Sequence, residues 1–202
     1  FIDIGAHIGA FSVLAAGAVG ATCLAIEPVP ASFASLQENL NLNGLGSQVQ
    51  ALNIGLAARA GCLRFTTGRG AANGVLPPGK QAQPGLATVE VAVQPLDAVM
   101  TGSREPESTG RIVLKVDVEG FEQEVVAGGE VTLADPRLFA LLIELRGHGA
   151  RYGFDEDAIH QRLLSFGFQP YAYTPSIRSR GEGKGDKGEL HPEERVLTPL
   201  EG

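Results

Sequence analysis

Cysteine is scarce in this chain. Only Cys23 and Cys62 occur, far apart and in no C-x-x-C or zinc-ligand spacing, which excludes a metal knuckle. Two reduced thiols, Cys23 buried in a strand, suit a reducing, cytoplasmic compartment. Basic residues are also few. Sixteen Lys and Arg stand against 23 Asp and Glu, for a net charge of -7, and this excludes the concentrated basic surface that a nucleic-acid partner requires. No apolar run approaches the roughly 20 residues of a membrane span, so no membrane partner is expected. There is no internal repeat and no dividing linker, so residues 1–202 read as one domain. Phe1 stands where an initiator methionine would, directly at the start of a strand. The natural chain is therefore expected to begin further upstream.

What is present alternates between strand and helix, the pattern of an α/β sheet covered on both faces. Strands are expected ending near Ile4, then over Thr22–Ile26, Val49–Ile54, Arg111–Val116, Leu138–Glu144, Phe168–Tyr173 and Arg195–Pro199. Helices are expected over Gly9–Ala18, Pro30–Leu42, from about Glu119, and over Asp155–Phe166. A short helix reaching Met100 would be capped by Asp97. Cys62–Thr67 and Thr88–Val93 form an inserted strand pair, joined by a Gly/Pro-rich loop from Gly68 to Gly85. A loop of that length in a compact domain is a candidate lid or ligand wall. The charged, glycine-rich stretch Ser176–Glu194 reads as a solvated loop.

The first turn carries Asp3-x-Gly5-x-x-x-Gly9. Residue 7 is His, so the G-x-G-x-x-G of dinucleotide folds is not formed, and no Gly-Lys-Ser/Thr follows to make a P-loop. A strand-end carboxylate such as Asp3 suits the ammonium of S-adenosylmethionine, directly or through water, and repels a pyrophosphate. Gly5 and Gly9 let the backbone approach a ligand, unless they serve only tight helix–strand packing. Glu27, ending the next strand, can accept two ribose hydroxyls, a role shared with nicotinamide-binding folds. It points to a nucleoside without choosing the cofactor.

A second constellation is Lys115-Val-Asp117-Val-Glu119-Gly120, where a buried strand becomes charged as it ends. In open α/β sheets the crevice lies beyond the carboxyl ends of the strands, so Asp117 and Glu119 should arrive beside the first turn. Either could instead cap the following helix. Glu144 ends the neighbouring strand. Asp117 and Glu144 would make an acid/base pair or a site for a hard divalent cation, and the sequence leaves metal dependence open. His148, on the same rim or simply solvated, is the imidazole candidate for a general base. His160 and His191 have no supporting constellation.

With both constellations in place, the chain resembles the FkbM family of class I methyltransferases from Asp3 to about Pro199. The matching stretches are Phe1–Gly9, Ala25–Pro28, Leu36–Asn43, Pro95–Asp97, Leu114–Glu122 and the acid ending Leu142-Ile-Glu144. The resemblance implies a Rossmann-like, seven-stranded, mostly parallel sheet of order 3-2-1-4-5-7-6. It further implies methyl transfer from S-adenosylmethionine to a small-molecule acceptor, usually a hydroxyl of a sugar, polyketide or other metabolite. Asp3, Gly5, His7, Gly9, Glu27, Asp117 and Glu119 would then serve the cofactor, and Asp117, Glu144 and His148 the chemistry. The family usually has Asn where this chain has His7; an imidazole still donates one hydrogen bond, so binding is expected to survive. The rival readings are a nicotinamide-dependent oxidoreductase and a catalytically silent module of the same fold.

Overall fold

The computed structural model describes residues 1–77, 79–81, 85–102, 110–173 and 190–199; for 172–173 and 190–199 it is the backbone that is described. The strands are Ile2–Ile4 (β1), Cys23–Ile26 (β2), Val49–Leu52 (β3), Gly55–Leu56 (β4), Gly61–Thr66 (β5), Thr88–Gln94 (β6), Ile112–Val116 (β7), Leu138–Ile143 (β8), Phe168–Tyr173 (β9) and Leu190–Pro199 (β10). The α-helices are Ala10–Val19 (α1), Pro30–Leu42 (α2), Leu96–Gly102 (α3), Glu122–Ala127 (α4), Glu130–Leu133 (α5) and Glu156–Ser165 (α6), with 3-10 turns at Gly70–Ala72 and His148–Tyr152.

β1 and β2 are buried along their whole length, as strands covered on both faces must be. The main sheet runs β3-β2-β1-β7-β8-β10-β9. β10 is antiparallel to both of its neighbours, and the other pairings are parallel. Counted along the main sheet alone, this is the order 3-2-1-4-5-7-6 expected above. The inserted pair, β5 and β6, forms a second sheet with β4 on its other edge.

Strand alternation divides the core. Ile4, Ile26, Leu114, Val116 and Leu141 pack in one layer, whereas Ala25, Leu36 and Leu40 pack in the other. Pro30 occupies the first turn of α2, where a missing N–H costs nothing. Asp155 caps α6 by accepting from Asp157 N–H at 3.0 Å.

Four local expectations are corrected. Asp97 does not cap its own helix; its carboxylate accepts Val131 N–H, Thr132 N–H and the Thr132 hydroxyl, and so caps α5. The helix after β7 starts at Glu122 rather than Glu119, because Glu119 (φ +54°) and Gly120 (φ +94°) adopt left-handed turn geometry. Neither Asp117 nor Glu119 caps that helix; its N-cap, Phe121, receives no side-chain hydrogen bond. Leu190–Glu194 belongs to β10, since backbone pairing of Leu190 and His191 with β9 extends the strand; residues 176–189 lie outside the described residues. Among the described residues no helix is long and apolar enough to cross a membrane.

Candidate active site

The site lies beyond the carboxyl ends of β1, β2, β7 and β8. Gly5 leaves β1 at φ +76°, and a Cβ there would stand 1.8 Å from the Asp117 carbonyl oxygen. Glycine is therefore the residue that lets the ends of β1 and β7 touch. Gly5 and Ala6 both donate their N–H to the Ile26 carbonyl at 3.0 Å, which turns the chain toward β2. His7 follows at φ +51° and donates its backbone N–H to Glu27 Oε2 at 2.9 Å. The other oxygen, Oε1, accepts Val29 N–H at 2.9 Å. Glu27 thus ties the first turn to the start of α2, and its acid is raised by burial against the opposing pull of those two amides.

Asp3 takes a place the sequence did not suggest. It has no exposed surface and does not line the cleft. Strand register sets it opposite Lys115, whose Nζ lies 3.4 Å from Asp3 Oδ1 and 3.3 Å from Asp117 Oδ2. Ser12 on α1 donates to Asp3 Oδ2 at 2.7 Å, and Lys115 Nζ also donates to the Gly5 carbonyl at 3.4 Å. Asp3 therefore does not open onto the cleft. The next residue, Ile4, is where β1 first lines the cleft, and Asp3 is linked to cleft-lining Asp117 by Lys115 between them. Gly9 is likewise a packing residue. A Cβ there would meet Leu36 Cδ1 at 2.3 Å, and the residue does not line the cleft.

The remaining expected residues do converge. A cleft of about 250 Å³ is lined by Gly5, His7, Glu27, Asp117, Glu119 and Glu144. The Glu144 acid is raised first by burial and then by its hydrogen bond to Asp117 and that group's charge, with Arg146 opposing. Arg146 pairs with Glu144 at 2.6 Å. His148 stands outside the lining but beside it, its Nδ1 3.0 Å from Glu119 Oε2. Among the described residues no group of three or more His, Cys, Asp or Glu is arranged to hold a metal ion; Asp117 and Glu144 instead face Lys115 and Arg146.

Sequence reasoning missed the far wall. Phe65 and the segment from Gly70 to Val75 line the cleft from the second sheet and its loop, and Phe121 lines it from the turn before α4. Tyr152 Oη donates to the Val75 carbonyl at 2.7 Å, and the Phe121 and Tyr152 rings meet edge-on at 5.2 Å. The long Gly68–Gly85 loop was the one available signal. Nothing in its composition indicated which part faces the cleft.

The profile of the "Methyltransferase FkbM domain" matches residues 3–170. The chain belongs to the FkbM methyltransferase family. It is 34% identical to Methyltransferase sdnD of Sordaria araneosa over 152 residues, which cover 63% of this chain and 59% of that protein. The fold matches a crystal structure of methyltransferase FkbM from Methylobacillus flagellatus KT with a TM-score of 0.57 and 16% identity, over 97% of this chain and 42% of that one. The matched stretch is thus about three fifths of the curated relative and well under half of the solved one. Family membership also makes sense of His7. The position needs a residue that tolerates positive φ, and Asn and His are both enriched there among non-glycine residues.

Proposed function

We propose that this FkbM-family chain is an S-adenosylmethionine-dependent methyltransferase acting on a hydroxyl of a sugar, polyketide or other small metabolite. One observation carries the reading: Glu27, Asp117, Glu119 and Glu144 line the cleft, against Arg146 as the only lining Lys or Arg among the described residues. Such a cleft attracts an ammonium or sulfonium cation and opposes a pyrophosphate, which speaks against a nicotinamide cofactor.

The donor set suits the proposed cofactor in a second way. Each Glu27 oxygen has accepted one backbone N–H, which fixes the carboxylate and leaves a further acceptor position on each oxygen for a ribose hydroxyl. Gly5 and His7 bring main chain to the same edge, and Asp117 and Glu119 supply charge for the ammonium end. When bound, the cofactor supplies a methyl group activated by its sulfonium. The protein's part is mainly to hold acceptor and donor in line and to receive the hydroxyl proton at Asp117 or His148, with Glu144 beside them. The cleft volume is on the scale of a small ligand, with Gly70–Val75 as its outer wall.

The test is calorimetric titration with S-adenosylmethionine and with NAD, joined to a radiolabel-transfer assay over a panel of hydroxylated metabolites, with and without magnesium. The cofactor should bind, and Glu27→Ala should weaken it about tenfold or more, the scale of a lost charge-assisted hydrogen bond. Binding of NAD in its place would overturn the reading. Cofactor binding without transfer to any acceptor would favour the silent module.

A further inference from the structure

We propose that His148 is the general base of the reaction and that Glu119 is the residue that positions it. This rests on the methyltransferase reading and sharpens it. The geometry is specific. The turn after β7 and the turn His148–Tyr152 press together so closely that a Cβ on Gly120 would lie 2.6 Å from the His148 carbonyl carbon and oxygen. That approach delivers the imidazole to Glu119, with Nδ1 3.0 Å from Oε2. Arg151, from the same turn, hydrogen-bonds the Glu119 carbonyl and fixes the contact from its other end.

Glu119 is one of two non-glycine described residues at positive φ, and the other is His7, across the same cleft. Left-handed conformations of non-glycine residues persist where surrounding structure enforces them, often at functional sites. Here the conformation turns the Glu119 side chain to the rim.

The competing bases are already engaged. Asp117 faces Lys115 at 3.3 Å and Glu144 faces Arg146 at 2.6 Å. A carboxylate is only an acceptor, so the Glu119 contact sets the proton on Nδ1 and leaves the Nε2 lone pair without a partner among the described residues. The imidazole side chain is 49% exposed at the cleft rim, open to an acceptor approaching from the mouth. In the step, the acceptor O–H bond breaks and its proton passes to Nε2. The oxygen pair forms the new O–C bond, while the S–C bond breaks with its electrons remaining on sulfur. The imidazolium then returns the proton to water.

Three variants test the assignment in the whole chain. His148→Ala should lose about a hundredfold in turnover, the low end of general-base contributions, keep wild-type cofactor affinity by calorimetry, and regain part of the loss with added imidazole. Glu119→Gly suits φ +54° and should fold at least as well as wild type, yet lose turnover. In its ring-nitrogen NMR spectrum at alkaline pH, His148 should move from the Nδ1–H tautomer toward Nε2–H. Glu119→Gln keeps an acceptor oxygen and should retain the wild-type tautomer. A wild-type protein that transfers methyl groups while His148→Ala matches it overturns the dyad and leaves the methyltransferase reading standing. A Nε2–H tautomer in the wild type also overturns the dyad. A protein that neither binds the cofactor nor transfers methyl overturns both.

Discussion

Replacing Lys115 by Met should be among the most damaging single changes in the sheet. Lys115 and Asp3 are almost wholly enclosed, at 6% and 0% side-chain exposure, with 3.4 Å between Nζ and Oδ1. At an effective dielectric near 20 a pair at that distance attracts by about 5 kcal/mol, a gain offset by the cost of desolvating both ions. Removing the lysine leaves the desolvation cost of Asp3 without its compensation, since the Ser12 hydroxyl alone remains on the carboxylate. Breaking a buried pair in this way costs about 3–5 kcal/mol. Asp117, with 35% side-chain exposure, stays hydrated and adds little to that loss. For a chain of 202 residues, at about 2–4 °C per kcal/mol, the thermal midpoint should fall by roughly 6–20 °C. Adding Asp3→Asn to the Met variant should recover at least about 1 kcal/mol, because a neutral amide still accepts the Ser12 hydroxyl and no buried charge remains. Urea unfolding of the wild type, both single variants and the double variant measures the coupling. A loss below about 1 kcal/mol for Lys115→Met, or no recovery in the double variant, would refute the account of Asp3 as a buried partner of Lys115.

Two further outcomes follow from the same geometry. Gly5→Ala combines a left-handed backbone with a Cβ 1.8 Å from the Asp117 carbonyl and should cost about 3 kcal/mol. Gly20→Ala, at φ +75° with nothing within 4 Å, should cost only about 1 kcal/mol, so equal denaturation midpoints for the two would contradict the strand-end contact. Glu122 is buried and its acid is raised, burial being the first cause. A carboxyl whose folded-state affinity for protons exceeds its unfolded one stabilises the protein below the unfolded value, and that contribution is lost as pH rises through the folded one. Glu122 Oε1 alone accepts both Val118 N–H and Gly120 N–H, so Glu122→Gln keeps both bonds. Its stability advantage over wild type should therefore grow as pH rises from about the carboxylate range toward neutrality. The slope should be at most about 1.4 kcal/mol per pH unit, the limit for one proton, as read from unfolding curves over that range. A flat difference between the two proteins would rule this out.

Much of the fold was legible in the sequence because local patterns carry it. Apolar runs marked buried strands, and the helical spacing of Leu36 and Leu40 with Pro30 before them fixed α2. The acids at strand ends could be anticipated in the crevice, and Glu27, Asp117, Glu119 and Glu144 do line it. Two misreadings, of Asp3 and of Asp97, share one cause, which is that a side chain's partner lies in another element. Asp97 caps a helix more than 30 residues away.

The identity of the strand-end acids was therefore determined by the sequence alone, along with the left-handed-tolerant residues of the first turn and the alternation that makes a parallel sheet. Which acids line the cleft was decided only by tertiary structure. Register set Asp3 against Lys115, where a charge excluded from water is held by its counterion. The meeting of two glycine-containing turns set Glu119 against His148. Neither pairing is written in local sequence, because each depends on main-chain segments that come within contact distance only when the sheet is complete.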